Sequence, residues 1–419
     1  MEKKIAVIGG GVCGLSAAYF LTKKGKKVFV FEKEEKLGGL AGGIKKEKWD
    51  WTLEKYYHHF FPSDKALLDL LKDLNLKEEI FFKNPKTSVF CEGKIYPFDT
   101  AGAILSFPLL SWQEKIKTGL VTSFLKYSPF GKGWQKTTAC WWLKKYYGER
   151  VYRLIWEPLL KAKFGEMAQS VSLAWFWARI KKRSKKLGYL KGGSAVLIEK
   201  LAEEIRKNGG RIFCGTEIKK LKELKTKGDF AKILVCSSPQ TFLKIASNLP
   251  QKYQEEIERL KSVGALVLLL RLKKQFLKEG TYWLNITDSS FPFVAVVEHT
   301  NFIDPKYYNG DHLLYLGGYY PQNHPFFKLS SKEIYEKFLP FLKRINPNFD
   351  FSSEVIDFSL FSDWYAQPII PPEYSPPLLK TPVRGLFFAS MHHIYPWDRG
   401  INYAIELGKY AAYEILKEE

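Results

Sequence analysis

The 419 residues predict an α/β fold: a parallel sheet with flanking helices, interrupted by an inserted α+β region. Three observations carry this expectation. The chain opens with a short apolar strand, a glycine-rich turn, an apolar helix and a second strand, which together make a β-α-β unit. A further strand-helix-strand pattern begins only near residue 187, and an apolar strand followed by a helix closes the chain, so the sheet draws on three separated segments. Between them lie long stretches rich in aromatic residues that do not repeat the βα rhythm. The length allows this arrangement, because a single compact core stops growing at roughly 250–300 residues.

The opening unit is the most specific element. Residues 4–8 are apolar, Gly9-Gly10-Gly11-Val12-Cys13-Gly14 follows, a helix runs to about residue 24 with Gly25 as its cap, and residues 27–31 form the second strand. Glu32 closes that strand 18 residues after Gly14. A Gly-x-Gly-x-x-Gly turn in this context is the fingerprint of a Rossmann-like dinucleotide site. Gly9 permits the tight turn, Gly11 lets the backbone approach a pyrophosphate, and Gly14 lets the helix pack closely on the strand. The helix N-terminus, at Val12 and Cys13, directs unpaired N–H groups and positive dipole at phosphate. Glu32 accepts hydrogen bonds from the adenosine ribose and repels a 2′-phosphate, which disfavours NADP.

The segment after Glu32, from Lys33 to Gly43, carries Gly38-Gly39-Leu40. It resembles the second glycine motif of the glutathione reductase-like flavoproteins, in which this turn contacts the phosphates of FAD. Members of the amine oxidase branch commonly carry Arg after the glycine pair; Leu40 keeps a backbone contact and forgoes a charge contact. Residues 187–218, with Gly192-Gly193, an amphipathic helix at 195–208 and a strand and turn at 211–218, resemble the return into the FAD domain of protoporphyrinogen oxidases and phytoene desaturases. There the residue equivalent to Ile218 lies against the adenine. The strand at 231–235 before Pro239 fits the same layout, as does the closing strand at 385–391 with the motif at 392–404. In that family an acidic residue near Asp398 binds the ribityl or phosphate region, and the N-terminus of the last helix, here Ile401 and Asn402, faces the isoalloxazine carbonyl.

The sequence thus resembles the FAD-dependent amine oxidase, protoporphyrinogen oxidase and phytoene desaturase superfamily. The resemblance implies a glutathione reductase-like FAD-binding domain made of residues 1–70, 188–245 and 380–419, and an inserted α+β substrate domain made of 71–187 and 246–379. It implies noncovalent FAD, since the cysteine that attaches flavin in some amine oxidases is missing, and hydride transfer to flavin N5 from a C–H bond of an apolar or amphipathic small molecule. An alternative is a non-redox flavoenzyme resembling UDP-galactopyranose mutase, acting on a sugar nucleotide. Residues 54–61, the turn at 94–98 and the basic character of the insert fit that reading.

Residues 51–61, Trp-Thr-Leu-Glu-Lys-Tyr-Tyr-His-His-Phe-Phe, stand where the family places substrate-facing residues. A histidine titrating near neutral pH moves a proton while flavin takes hydride, so His58 and His59 are the candidate acid/base residues. On a strand the two point to opposite faces, and only one reaches the cavity. Buried structural histidines fit the same pattern.

Composition bounds the rest. The net charge is +21. Between Ser111 and Lys191, 18 Lys or Arg stand against 4 Glu and no Asp, together with 7 of the 12 tryptophans. A solvated Lys-rich surface explains this, and so does a face for an anionic membrane or a phosphate-bearing substrate. Nucleic acid is not expected, for no helix-turn-helix, RNA-recognition or zinc-finger pattern accompanies the charge. Five dispersed cysteines without CxxC spacing read as reduced, buried thiols and offer no metal site. With no leader before the first strand and no apolar run of roughly 20 residues, the expected location is the cytoplasm, with peripheral contact at a membrane.

Overall fold

Three distant stretches of sequence converge on one five-stranded parallel sheet. In the computed structural model, which describes residues 4–418, its strand order is Leu386–Ala389, Phe230–Cys236, Lys4–Ile8 (β1), Val28–Phe31 (β2) and Arg211–Phe213. All neighbours are parallel. Helix α1 (Val12–Thr22) joins β1 to β2 and has nine of its eleven residues buried. A helix this apolar on all sides belongs between layers. It lies under the last helix, where a Cβ on Gly408 would stand 2.4 Å from the Cys13 carbonyl oxygen, so the two backbones touch.

A seven-stranded mixed sheet forms the second layer system, in the order Val355–Pro368, Ser262–Leu272, His312–Tyr320, Ala295–Glu298, Thr281–Ile286, Lys86–Cys91 and Lys94–Pro97. Ser262–Leu272 is buried at every position but one, as expected of an unbroken apolar run covered on both faces. The chain from Ala101 to Lys182 is helical. Its longest helix, α2 (Trp112–Tyr127), starts at a capping box between Ser111 and Glu114, and α3 (Leu173–Lys182) starts at Ser172, whose side chain accepts the Ala174 N–H. Trp175, Phe176 and Trp177 of α3 are core residues packed with Trp142, Tyr152 and Phe164. The closing helix α4 (Ile401–Lys417) follows Gly400.

Two expectations change. Residues 55–59 are not strand; Leu53–Glu54 pairs with Gly43–Ile44, and Phe60 bridges Gly188. The buried Glu54 carboxylate accepts the Ser194 N–H at 2.7 Å and the Tyr189 hydroxyl at 2.7 Å, which ties this stretch both to the start of the helix Ala195–Lys207 and to the strand Leu187–Leu190. His58 and His59 therefore do not alternate as on a strand. All five cysteines are free, yet only Cys91 and Cys140 are buried. Cys13 and Cys236 are half-buried with their Sγ atoms 3.9 Å apart, because α1 begins beside the end of Phe230–Cys236.

Candidate functional site

The glycine turn is shaped by what a Cβ would meet. Gly9 has φ +109°, and a Cβ there would lie 2.3 Å from the Cys236 carbonyl oxygen; one on Gly14 would lie 2.0 Å from the Gly9 carbonyl oxygen. At Gly11 the surroundings are open: the nearest atom to such a Cβ is the Gly39 Cα at 4.0 Å. The second glycine turn closes the other side, where Gly38 N–H donates to the Gly10 carbonyl at 2.9 Å and Gly39–Ala41, including the half-buried Leu40, forms a 3-10 turn. No side chain caps α1, so the N–H groups of its first turn are free for an anion.

Glu32 is 7% exposed. Its Oε2 accepts the Gly10 N–H at 2.6 Å and its Oε1 the Glu34 N–H at 2.9 Å, which fixes the carboxylate and leaves one lone pair on each oxygen for a hydroxyl. Lys33 lies outside, paired with Glu34 at 3.4 Å. Ile218 is buried with Ile8, Phe31 and Val235. An opening without side chains, an uncapped helix and an oriented carboxylate fit the adenosine and pyrophosphate of FAD.

The closing motif places Ile401 and Asn402 in the first turn of α4, as expected from the sequence, with Asp398 just before it. Asn402 Oδ1 accepts the Leu67 N–H at 3.0 Å, Ile401 is buried, and no side chain caps the start of α4. The Asp398 carboxylate turns towards the insert. It accepts the Trp175 indole N–H at 3.0 Å, pairs with Arg179, and lies 3.8 Å from Lys163 Nζ. Burial raises its pKa, but Lys163, Arg179 and Arg399 outweigh that and hold it well below the usual carboxylate range. Lys163 sits well below 10.5, chiefly by burial and then by Arg179, with Asp398 acting against both.

Around these charges gathers an aromatic cluster. The Arg399 guanidinium donates to the Tyr319 hydroxyl at 2.5 Å, and Lys163 Nζ stands 5.2 Å from the Tyr319 ring centroid. Tyr57 packs edge-on against Trp283 with centroids 4.9 Å apart. Its hydroxyl occupies the space that a side chain at Gly317 would need, 2.4 Å from a Cβ there. His59 packs on Trp283 and Phe61, and His58 Nδ1 lies 2.5 Å from the Tyr56 carbonyl oxygen. Desolvation pulls His58 down to about 4 and His59 to about 3. Near-neutral titration, the premise for choosing them, is thus corrected: both are uncharged at neutral pH. The structure brings Tyr57 and His58 near Arg399, while Lys55 N–H donates to the Gly42 carbonyl at 3.1 Å and so links this stretch to the second glycine turn. Lys163, Trp283, Gly317 and Tyr319 were missed. The only signal was a glycine pair inside an apolar strand; Lys163 stands in a helix that also carries Glu157 and Lys161.

This geometry has relatives. The chain is 33% identical over 130 residues to the 15-cis-phytoene desaturase of Synechococcus elongatus, covering 28% of this chain and 27% of the desaturase. It is 30% identical over 135 residues to the coproporphyrinogen III oxidase of Staphylococcus aureus, covering 32% and 27%. These alignments span little more than a quarter of either relative. Reduced UDP-galactopyranose mutase superposes with a TM-score of 0.76 at 15% identity, covering 100% of this chain and 96% of that one, which is a likeness of fold. Residues 12–416 match the family described as flavin containing amine oxidoreductase; the chain belongs to that family, and its cofactor is FAD.

Proposed function

We propose that the protein oxidises a C–H bond of an apolar or amphipathic small molecule by hydride transfer to flavin N5. The observation that carries this is the aromatic cluster of Tyr57, Trp283 and Tyr319 beside the closing motif. In this reading residues 1–70, 188–245 and 380–419 bind FAD, and 71–187 and 246–379 enclose the substrate. The N–H groups of Val12, Cys13 and Gly14 hold the pyrophosphate, with Gly9, Gly11, Gly38, Gly39 and Leu40 admitting it, while Glu32 takes the ribose hydroxyls and Lys33 and Ile218 flank the adenosine. The N-terminus of α4, at Ile401 and Asn402, favours negative charge on the ring it faces. Asp398 acts as a positioning residue that holds Trp175, Arg179 and Lys163 in place. His58 and His59, both neutral, serve as hydrogen-bonding groups that add no charge to a cluster already holding Lys163, Arg179 and Arg399. Bound FAD supplies the hydride acceptor. Anaerobic mixing with amines, tetrapyrrole precursors and polyenes tests the reading: one class bleaches the flavin band, and no bleaching with any class refutes it.

A second reading, a non-redox flavoenzyme acting on a sugar nucleotide, draws support from a strongly cationic cleft beside the cluster. Isomerisation that appears only after dithionite reduction, without net flavin turnover, would select it.

We also propose that the basic region 111–191 docks peripherally on an anionic, cytoplasmic membrane face. On α2, Trp112, Ile116, Leu120 and Phe124 recur every fourth residue and are 67%, 57%, 68% and 55% exposed. They make one apolar helix face of a kind that marks an interaction surface, set among the region's excess lysines. No helix among the described residues is long and apolar enough to cross a membrane. Vesicles of phosphatidylglycerol and phosphatidylcholine should sediment the protein at low salt and release it at high salt. Leu120→Ser with Phe124→Ser, removing about 3 kcal/mol of burial, should weaken binding about a hundredfold; unchanged sedimentation contradicts the proposal.

A further inference from the structure

Five cations meet where α2 and α3 end. A cleft of about 540 Å³ is lined by Lys126 from the last turn of α2, by Lys181 and Lys182 from the last turn of α3, and by Arg183 and Lys185 just beyond. Trp397 forms part of its wall, and no carboxylate lines it. Two of the ammonium groups are tied back to the chain: Lys126 donates to the Lys181 carbonyl at 3.2 Å, and Lys181 to those of Tyr127 and Ser128 at 3.2 and 3.0 Å. Lys182 stands 4.8 Å from the Trp397 ring centroid. The charges act on one another, for the Lys126 ammonium is depressed by burial and then by Lys181, Arg183 and Lys182. Cations crowded into a concave site raise the local concentration of an anion, and planar guanidinium and flexible ammonium groups together suit phosphate or carboxylate oxygens.

Position assigns the anion a use. The cleft wall at Pro62 and Ser63 directly follows the stretch that carries His58 and His59, and Trp397 directly precedes Asp398 and Arg399. Arg183 is close enough to help depress His59. None of the lining residues belongs to the two glycine turns or to Glu32, so this is a different place from the one that fits the cofactor's pyrophosphate. The volume lies within the range of small-molecule sites.

We propose that this cleft receives the anionic end, phosphate or carboxylate, of the compound that reacts at the adjacent aromatic cluster. The compound's role as substrate rests on the function proposed above; the binding of an anion here does not. The consequence is selective: a cationic amine is disfavoured by five like charges, whereas an amphiphile with a polyanionic end places its apolar part among Tyr57, Trp283 and Tyr319. Lys126 belongs to the helix with the exposed apolar face, so the same chemistry is reachable by a lipid headgroup from a bilayer or by a soluble anion from water.

The test uses FAD-loaded protein titrated with inorganic pyrophosphate, read by calorimetry and by tryptophan fluorescence. Saturable binding that weakens with salt is expected, and Lys182→Gln with Lys185→Gln should weaken it at least tenfold. Lys182→Arg should retain it. Lys332→Gln with Lys337→Gln, on the distant helix Ser331–Ile345, should leave it unchanged, and the flavin absorbance of every variant reports that the fold is intact. Anionic vesicles distinguish the source: a lipid headgroup displaces pyrophosphate, and loses that ability in Leu120→Ser with Phe124→Ser, whereas a soluble anion's site keeps pyrophosphate in the presence of vesicles. Absence of saturable binding, or equal weakening by the distant pair, overturns the proposal. Failure of every substrate to bleach the flavin would remove the oxidation reading and leave the binding isotherm standing.

Discussion

Replacing Gly11 and Gly14 by alanine should give opposite results, although the two glycines belong to one motif. At Gly11 the backbone is extended, with φ −73°, and the added methyl would have only the Gly39 Cα within 4.0 Å. Folding is therefore spared, and the loss of a flexible glycine from the unfolded chain adds about 0.4–1 kcal/mol of stability. The methyl projects into the opening between the two glycine turns, where it holds the phosphate away from the first-turn N–H groups. Losing one hydrogen bond to a charged group costs about 1.5–3 kcal/mol, which is a Kd for FAD weaker by about 10- to 150-fold. At Gly14 the methyl would stand 2.0 Å from the Gly9 carbonyl oxygen, and α1 must shift off β1, so the apoprotein itself should be destabilised by about 1–3 kcal/mol. Thermal melts of the apoproteins and fluorescence titration with FAD read the two effects separately. If Gly11→Ala binds FAD as the wild type does, or melts as low as Gly14→Ala, the placement of the phosphate between the turns is wrong.

Three further outcomes follow from the cluster. Asp398→Asn leaves Lys163, Arg179 and Arg399 without their shared carboxylate and should cost about 3 kcal/mol in urea unfolding, whereas Lys163→Met removes a buried cation among other cations and should cost less than about 1 kcal/mol; equal losses would contradict this. His299, which shares a 2.8 Å hydrogen bond with the Tyr308 hydroxyl, is held by burial at about 3 instead of 6.5. Below about pH 6.5 the unfolded chain takes up a proton that the native state refuses, so stability falls as pH drops, and His299→Phe should gain about 2 kcal/mol relative to wild type between pH 7 and pH 5; a relative loss, seen in paired melts, would refute the sign. Gly317→Ala displaces the Tyr57 hydroxyl and should lower substrate turnover while leaving FAD content intact, as measured by absorbance.

The elements that could be read from sequence are those where the backbone dictates the residue. Gly9 and Gly14 admit no Cβ, and a carboxylate at the end of β2 has a donor waiting at Gly10, so this half-site announces itself locally. What escaped depends on contacts across the chain. The path of residues 55–59 is set by Glu54 through Ser194 and Tyr189, and Asp398 is engaged by Trp175 and Arg179, more than 200 residues earlier in the chain. The four-residue spacing of Trp112, Ile116, Leu120 and Phe124 reads in isolation as a core-facing helix; only the packing of α2 on α3 shows that this face points outward.

In the proposed arrangement, separated segments converge to hold FAD without a covalent bond. Acid denaturation of the purified protein, followed by separation of chain from supernatant, tests it most directly. The protein is expected to be yellow, to release one equivalent of intact FAD into the supernatant and, as apoprotein, to take one equivalent back. A colourless chain that takes up no added FAD, or a flavin that stays with the denatured polypeptide, would contradict it.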